Sequence, residues 1–154
     1  ERIGKIERSF LPFLPFLPFG YLCPSWAYTP FYGIPDILIA EDDAVLREVY
    51  QKKFSMAGYH IRLAENGEET LAMIAEKVPD LLILDLNMPV MDGFQVLEKF
   101  PRGNRRFPVV ALTNFGDKAS RDRGEALGVD QYFIKRDMTI KELVAMVEGM
   151  LKSK

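Results

Sequence analysis

Leu81-Leu82-Ile83-Leu84-Asp85-Leu86-Asn87-Met88-Pro89-Val90-Met91-Asp92-Gly93 decides the fold. Four apolar residues run without alternation into a carboxylate. Such a run is the pattern of a strand covered on both faces, as inside a parallel sheet. Asn-Met-Pro and Asp-Gly then close it in a turn. Asp85 is therefore predicted at the carboxyl end of a central strand, where open α/β sheets place their ligands. The plainer alternative is an aspartate that only caps its turn.

The pattern repeats on either side. Upstream, Asp36-Ile37-Leu38-Ile39-Ala40 reads as a first buried strand, followed by Glu41-Asp42-Asp43. Asp43 suits the N-cap of a helix carrying Leu46, Val49, Tyr50 and Phe54, closed by Gly58. His60 to Ala64 is a short second strand, and His60, the only histidine, is structural. Asn66 caps a helix with Leu71, Ile74, Ala75 and Val78 at i, i+3, i+4 and i+7, stopped by Pro79. Downstream, a short helix spans Gln95 to Phe100. The basic loop 102–106 reads as a solvated turn. Pro108 to Leu112 is a fourth strand running into Thr113. Asp117 to Leu127 is a helix with little apolar face. Gln131 to Ile134 is a fifth strand that delivers Lys135. A last helix aligns Ile140, Leu143, Val144, Val147 and Leu151. Five alternations of strand and helix predict an α/β domain, a doubly wound parallel sheet with helices on both faces.

Residues 1–33 are a different material. Half of the aromatic residues fall before Ile34, and six of the ten prolines fall by Pro35. Phe-Leu-Pro repeats from Phe10 to Pro18. Proline at every third position forbids a helix and suits an extended polyproline path. The segment reads as a disordered or non-native tail, with a partner-binding proline segment and a membrane anchor as alternatives. The domain proper is 34–154. A chain of 154 residues with net charge -2 has no general pull toward nucleic acid. Its single cysteine excludes an internal disulfide, and its single histidine excludes most multi-histidine metal sites.

The strand ends carry the chemistry. Glu41 and Asp42 end the first strand, Asp85 the third, Thr113 the fourth and Lys135 the fifth. Neighbouring parallel strands bring such ends to one crevice. Three carboxylates there repel one another unless a cation intervenes. Mg²⁺ takes one or two carboxylates and leaves positions for phosphate oxygens. A lysine and a hydroxyl suit the remaining phosphate oxygens. The set fits phosphoryl transfer to a carboxylate nucleophile.

At these residues the chain resembles the receiver domain of two-component response regulators. The resemblance runs from Pro35 to Leu151 through Leu-Ile-Ala-Glu-Asp-Asp, Leu-Asp-Leu-Asn-Met-Pro-Val-Met-Asp-Gly, Ala-Leu-Thr and Tyr-Phe-Ile-Lys. It implies a flavodoxin-like sheet in the order 2-1-3-4-5. It implies Asp85 as phosphoacceptor, and Mg²⁺ held by Glu41, Asp42, Asp85 and the backbone carbonyl of Asn87. Thr113 resembles the switch hydroxyl, Lys135 the lysine that pairs with the acceptor, and Tyr132 the aromatic rotamer switch. The implied protein is a cytoplasmic single-domain response regulator, a phosphoacceptor rather than an enzyme. Its partner would be a histidine kinase or a histidine phosphotransfer protein. Direct nucleic-acid binding and membrane association are not expected.

Three departures stand out. Arg136 follows Lys135 where the family usually has proline after a cis bond, so the loop there should differ. Asn114 replaces a small residue after Thr113. Phe115 replaces a polar one and should position an attacking water poorly. The alternative function is a receiver-fold module read by its partner without phosphorylation; its mark would be a lost acceptor, metal acid or lysine, and none is lost. A flavodoxin-type binder would need a glycine- and hydroxyl-rich phosphate loop where Glu41-Asp42-Asp43 stands. A haloacid-type phosphatase would need an aspartate at Asn87.

Overall fold

The computed structural model describes residues 33–114 and 118–153. The readings of residues 1–32, of Phe115 and of Asp117 as a helix start lie outside them. Five strands, β1 (Asp36–Ala40), β2 (His60–Ala64), β3 (Leu81–Asp85), β4 (Val109–Thr113) and β5 (Gln131–Ile134), alternate with five helices. These are α1 (Ala44–Met56), α2 (Gly67–Glu76), α3 (Gly93–Lys99), α4 (Lys118–Ala126) and α5 (Ile140–Lys152). The sheet order is β2-β1-β3-β4-β5, and every neighbouring pair is parallel.

The apolar runs explain the layers. β1, β3 and β4 are buried along their whole length, and their side chains alternate between two cores. Ile37, Ile39, Leu81, Ile83, Val110 and Leu112 pack with Tyr50 and Phe54 of α1 and Leu143 and Val147 of α5. Leu38, Ala40, Leu82, Leu84, Val109 and Ala111 pack on the other face with Ile74 of α2 and Phe94, Val96 and Leu97 of α3. Each fully buried aliphatic side chain contributes roughly 1.5–3 kcal/mol. The three central strands are thereby fixed, and so are their carboxyl ends.

The caps act as read. Asp43 accepts from the amides of Val45 and Leu46 at 2.8 and 3.1 Å. Asn66 accepts from Glu69 N–H at 3.0 Å. Three details differ from the sequence reading. The second helix ends at Glu76, and Val78 is exposed, because residues before a proline avoid the helical region. Its buried face is Thr70 and Ile74, supported by Leu71 and Met73, whereas Ala75 is exposed. The third helix starts at Gly93 rather than Gln95. Asp92 and Gln95 form a reciprocal capping box, each side chain bonding the other's backbone amide at 2.8 and 3.0 Å. In the basic loop, Arg105 is not solvated. Its side chain is buried and donates to the carbonyls of Phe100, Phe107, Leu127 and Gly128 and to Asp130.

At the amino end of the sheet, Asp36 is buried and accepts from His60 Nδ1 at 2.6 Å and Arg62 Nε at 3.0 Å. Burial alone would raise its pKa. The hydrogen bonds from His60 and Arg62 and the charges of Arg62 and Lys77 outweigh it and hold the acid below its ordinary value. A depressed carboxylate stabilises the fold above its unfolded pKa, and that contribution is lost as pH falls through the folded value. Asp36→Ala should cost about 3 kcal/mol at pH 7, because it leaves Arg62 partly buried and unpaired. Urea melts of wild type and variant should begin to approach each other near pH 4, about the ordinary aspartate pKa, and meet only at lower pH, below the depressed folded value.

Candidate functional site

The carboxyl ends of β1 and β3 deliver Glu41, Asp42 and Asp85 to one place. A ligand oxygen of each lies within 4.8 Å of the others. Asp85 and Glu41 are each 1% exposed, whereas Asp42 is exposed at the mouth. Lys135, one residue past β5, crosses to them. Its Nζ donates to Asp85 Oδ2 at 2.6 Å and to Glu41 Oε1 at 2.9 Å. Glu41 Oε2 also lies 2.6 Å from Nζ but outside hydrogen-bonding geometry, and it accepts no hydrogen bond.

The electrostatics follow from burial. Desolvation pushes Glu41 up to about 6; the Lys135 hydrogen bond opposes this, and the negative charge of Asp85 adds to it. Desolvation would lower Lys135, but its hydrogen bonds to Asp85 and Glu41 raise it above the ordinary lysine value. Tyr50 of α1, buried near the acids, is pushed up to about 12 by desolvation first and then by the charge on Glu41. With the acids ionised, three negative charges face one ammonium. The excess of two fits a divalent cation bound by oxygen ligands. The acidic group could hold a metal ion.

The turn after β3 is shaped around Asp85. Asn87 N–H donates to Asp85 Oδ1 at 2.9 Å, so this aspartate also caps its turn. Gly93 is dictated by close approach, since a Cβ there would collide with the Asp85 carbonyl oxygen. Between them, Val90 adopts φ 69° inside a three-residue turn closed by Met91 N–H to Pro89 O at 2.8 Å. A β-branched residue in this region stores on the order of 1–3 kcal/mol of strain.

Thr113 is buried at the end of β4, next to Leu112, which faces Asp85 in the register. Lys135 N–H donates to Thr113 O at 2.9 Å and carries the β4–β5 ladder one step further. No described peptide bond is cis, and Asp137 and Met138 N–H both bond Ile134 O at 3.1 Å. A hydrogen-bonded turn thus replaces the usual proline loop, with Arg136 exposed. Tyr132 lies apart from the acids. Its hydroxyl donates to Arg121 O of α4 at 2.9 Å and fills the space a Cβ at Gly124 would take. The sequence reading did not single out Arg47, whose guanidinium bonds the backbone carbonyls of both Glu41 and Asp42. Its one visible signal was a basic residue four positions after the Asp43 cap.

Lys135→Met should lower stability by about 3 kcal/mol at pH 8, since it strands two buried carboxylates. Without the ammonium the carboxyl of Glu41 is pushed further up, because the Lys135 hydrogen bond that opposes its desolvation is gone. Raised carboxylates stabilise the fold only when protonated, and that contribution is lost as pH increases. The deficit should therefore shrink by pH 5, below the value near 6 for Glu41. Urea melts at the two pH values check this.

The response regulator receiver domain family model matches residues 37–148. The chain is 37% identical over 116 residues to a probable transcriptional regulator, ycf27, of Guillardia theta, covering 75% of this chain and 45% of that one. It is 34% identical to the response regulator MprA of Mycobacterium avium, covering 75% and 50%. The fold matches a crystal structure of a DNA-binding response regulator of the LuxR family from Staphylococcus aureus, with TM-score 0.71 and 28% identity over 77% of this chain and 99% of that one. The chain thus spans about half the length of the curated relatives it matches. Those names overturn the expectation of no nucleic-acid partner, which rested on net charge and on the single-domain reading. Among the described residues, no helix is long and apolar enough to cross a membrane. From the matched model, the shared sheet order and the relatives, the chain belongs to the response regulator receiver domain family.

Proposed function

We propose that the domain accepts a phosphoryl group on Asp85 from a phosphohistidine of a histidine kinase or phosphotransfer protein. The observation that carries this reading is the Lys135 ammonium held against a buried Asp85, with Asp42 open to solvent beside it. An Asp85 carboxylate oxygen forms the new O–P bond, the P–N bond of the donor breaks, and the leaving imidazole takes up a proton. Glu41, Asp42, Asp85 and the carbonyl of Asn87 would hold Mg²⁺. Once bound, Mg²⁺ neutralises charge on the transferring oxygens.

The chain's own groups do the rest. Asn87 N–H and Lys135 Nζ orient the two oxygens of Asp85. Lys135 offers its charge to the incoming oxygens as its bond to Asp85 lengthens. Thr113 supplies a hydroxyl at the neighbouring strand end, and Tyr132 reports the change to α4. A phosphorylated carboxylate adds roughly -1.5 to -2 charge. The protein is a cytoplasmic signalling component whose chemistry is confined to its own aspartate, not an enzyme with a separate substrate. By likeness to the Guillardia theta relative, its output is transcriptional. The tail of residues 1–33 is dispensable to this chemistry.

With acetyl phosphate and Mg²⁺, the full chain should gain one phosphoryl group, labile to base and hydroxylamine. Asp85→Ala should abolish it, and Asp42→Asn should abolish the response to Mg²⁺ and with it the Mg²⁺-dependent modification. Thr113→Ala should permit modification but blunt the response of Tyr132. Wild type that no phosphodonor modifies would leave a module read without phosphorylation. Deleting residues 1–33 should preserve both modification and melting temperature. A large loss of thermal stability would show that the tail supports the domain.

A further inference from the structure

Arg47 is a largely buried cation that bonds the backbone of Glu41 and Asp42 rather than their carboxylates. Its side chain is 12% exposed. Its Nη1 donates to Glu41 O at 2.8 Å and to Asp42 O at 2.7 Å. Its Nη2 donates to Glu65 Oε1 at 2.7 Å. Glu65 is fixed in turn, because its amide donates to Glu69 Oε2 in the first turn of α2 at 2.9 Å. Glu41 N–H adds a ladder bond to Ala64 O at 3.1 Å. One guanidinium therefore ties the loop bearing two of the three acids to the loop after β2. A planar guanidinium spreads these three contacts over two nitrogens in a fixed fork, whereas a lysine would have to make them all from one ammonium nitrogen.

We infer that Arg47 is a positioning residue for the divalent cation: it clamps the backbone of Glu41 and Asp42 so that their carboxylates converge with Asp85. The inference rests on the Mg²⁺ reading of this site. Two physical effects of Arg47 oppose each other. As a positive charge near the acids it weakens cation binding. As a clamp it removes the freedom of a loop whose second acid is exposed to solvent. Glu65 already offsets the charge, so the clamp should win. Groups that orient metal ligands from outside typically matter by roughly 10–100-fold in affinity.

The test is a Mg²⁺ titration of the full chain, followed by amide chemical shifts of Asp85 and Asn87 with no phosphodonor present. Arg47→Met and Arg47→Lys are compared with wild type, and circular dichroism melts show whether each variant is folded. The expected result is about 10-fold weaker binding for Arg47→Met, with a smaller loss for Arg47→Lys, which keeps the charge but not the fork. Amide hydrogen exchange at Asp42 and Asp43 should rise in both. If Arg47→Met binds as tightly as wild type, or more tightly, Arg47 acts as a charge and the inference is overturned while the Mg²⁺ reading stands. If Arg47→Met is unfolded, Arg47→Lys decides: affinity and exchange equal to wild type overturn the inference. A wild type without a saturable response overturns the Mg²⁺ reading itself.

Discussion

Everything at the carboxyl edge of the sheet depends on the contact between Lys135 and two carboxylates that water hardly reaches. A buried carboxylate alone would become neutral, and a buried ammonium likewise. Together they can remain charged, but only if each is delivered to within hydrogen-bonding distance by an element that cannot retreat. The central strands meet that requirement. Glu41 and Asp85 sit immediately after or at the end of strands whose preceding four residues are fully buried, so moving either carboxylate would expose part of the core. Lys135 comes from the edge strand β5, which is less buried, and it is tied to β4 by its own amide bond to Thr113. The arrangement holds two charges nearly fixed and lets the third approach along a flexible side chain.

The turn after β3 reconciles two demands. It must end the strand at Asp85 and start α3 almost at once, with the helix packed on the strand's own carbonyl. Gly93 permits the approach, the Asp92–Gln95 box begins the helix, and Val90 absorbs the sharp change of direction in a strained conformation. The Asn87 amide on Asp85 comes with the same turn. The turn-capping role of Asp85 and its role in the crevice are therefore the same geometry. Choosing between them, as the sequence alone invited, set up a contrast that the structure does not contain.

What was legible in the sequence was local or followed a general rule of sheets. Unalternating runs marked β1, β3 and β4, and side-chain oxygens marked the starts of α1 and α2. The rule that parallel strand ends converge then brought Glu41, Asp42, Asp85 and Lys135 together. Beyond the ends of α2 and α3, most of what was not legible spans long stretches of chain between partners. Arg105 reads as one of several loop arginines until its carbonyl partners arrive from 22 and 23 residues away. Arg62 and Asp36 meet across 26 residues, and Arg47 meets Glu65 across 18. No periodicity encodes such pairs. The nucleic-acid expectation failed for a different reason: it argued from net charge and from a single-domain reading, neither of which bears on what a longer relative does.

α4 is the element least held by the core. Gly124 is its only buried residue among those described, and its remaining side chains are mostly polar. Its inner attachments are correspondingly few. Tyr132 places its hydroxyl in the notch at Gly124 and bonds the Arg121 carbonyl, while Arg121 itself lies 5.8 Å from the ring. Toward α3, Arg123 stacks 4.3 Å over Phe94 and pairs with Glu98 at 3.1 Å. A net hydrogen bond is worth about 1 kcal/mol, and an exposed ion pair less. A helix retained by terms of that size can shift without disturbing the central strands. Under the proposed phosphorylation, a change of charge at Asp85 would reach Lys135, which bonds it directly and follows β5, the strand that carries Tyr132. Only a state that binds the altered Asp85 differently can move the equilibrium. Under that proposal α4, joined to β5 through the Tyr132 hydroxyl, is the element expected to shift.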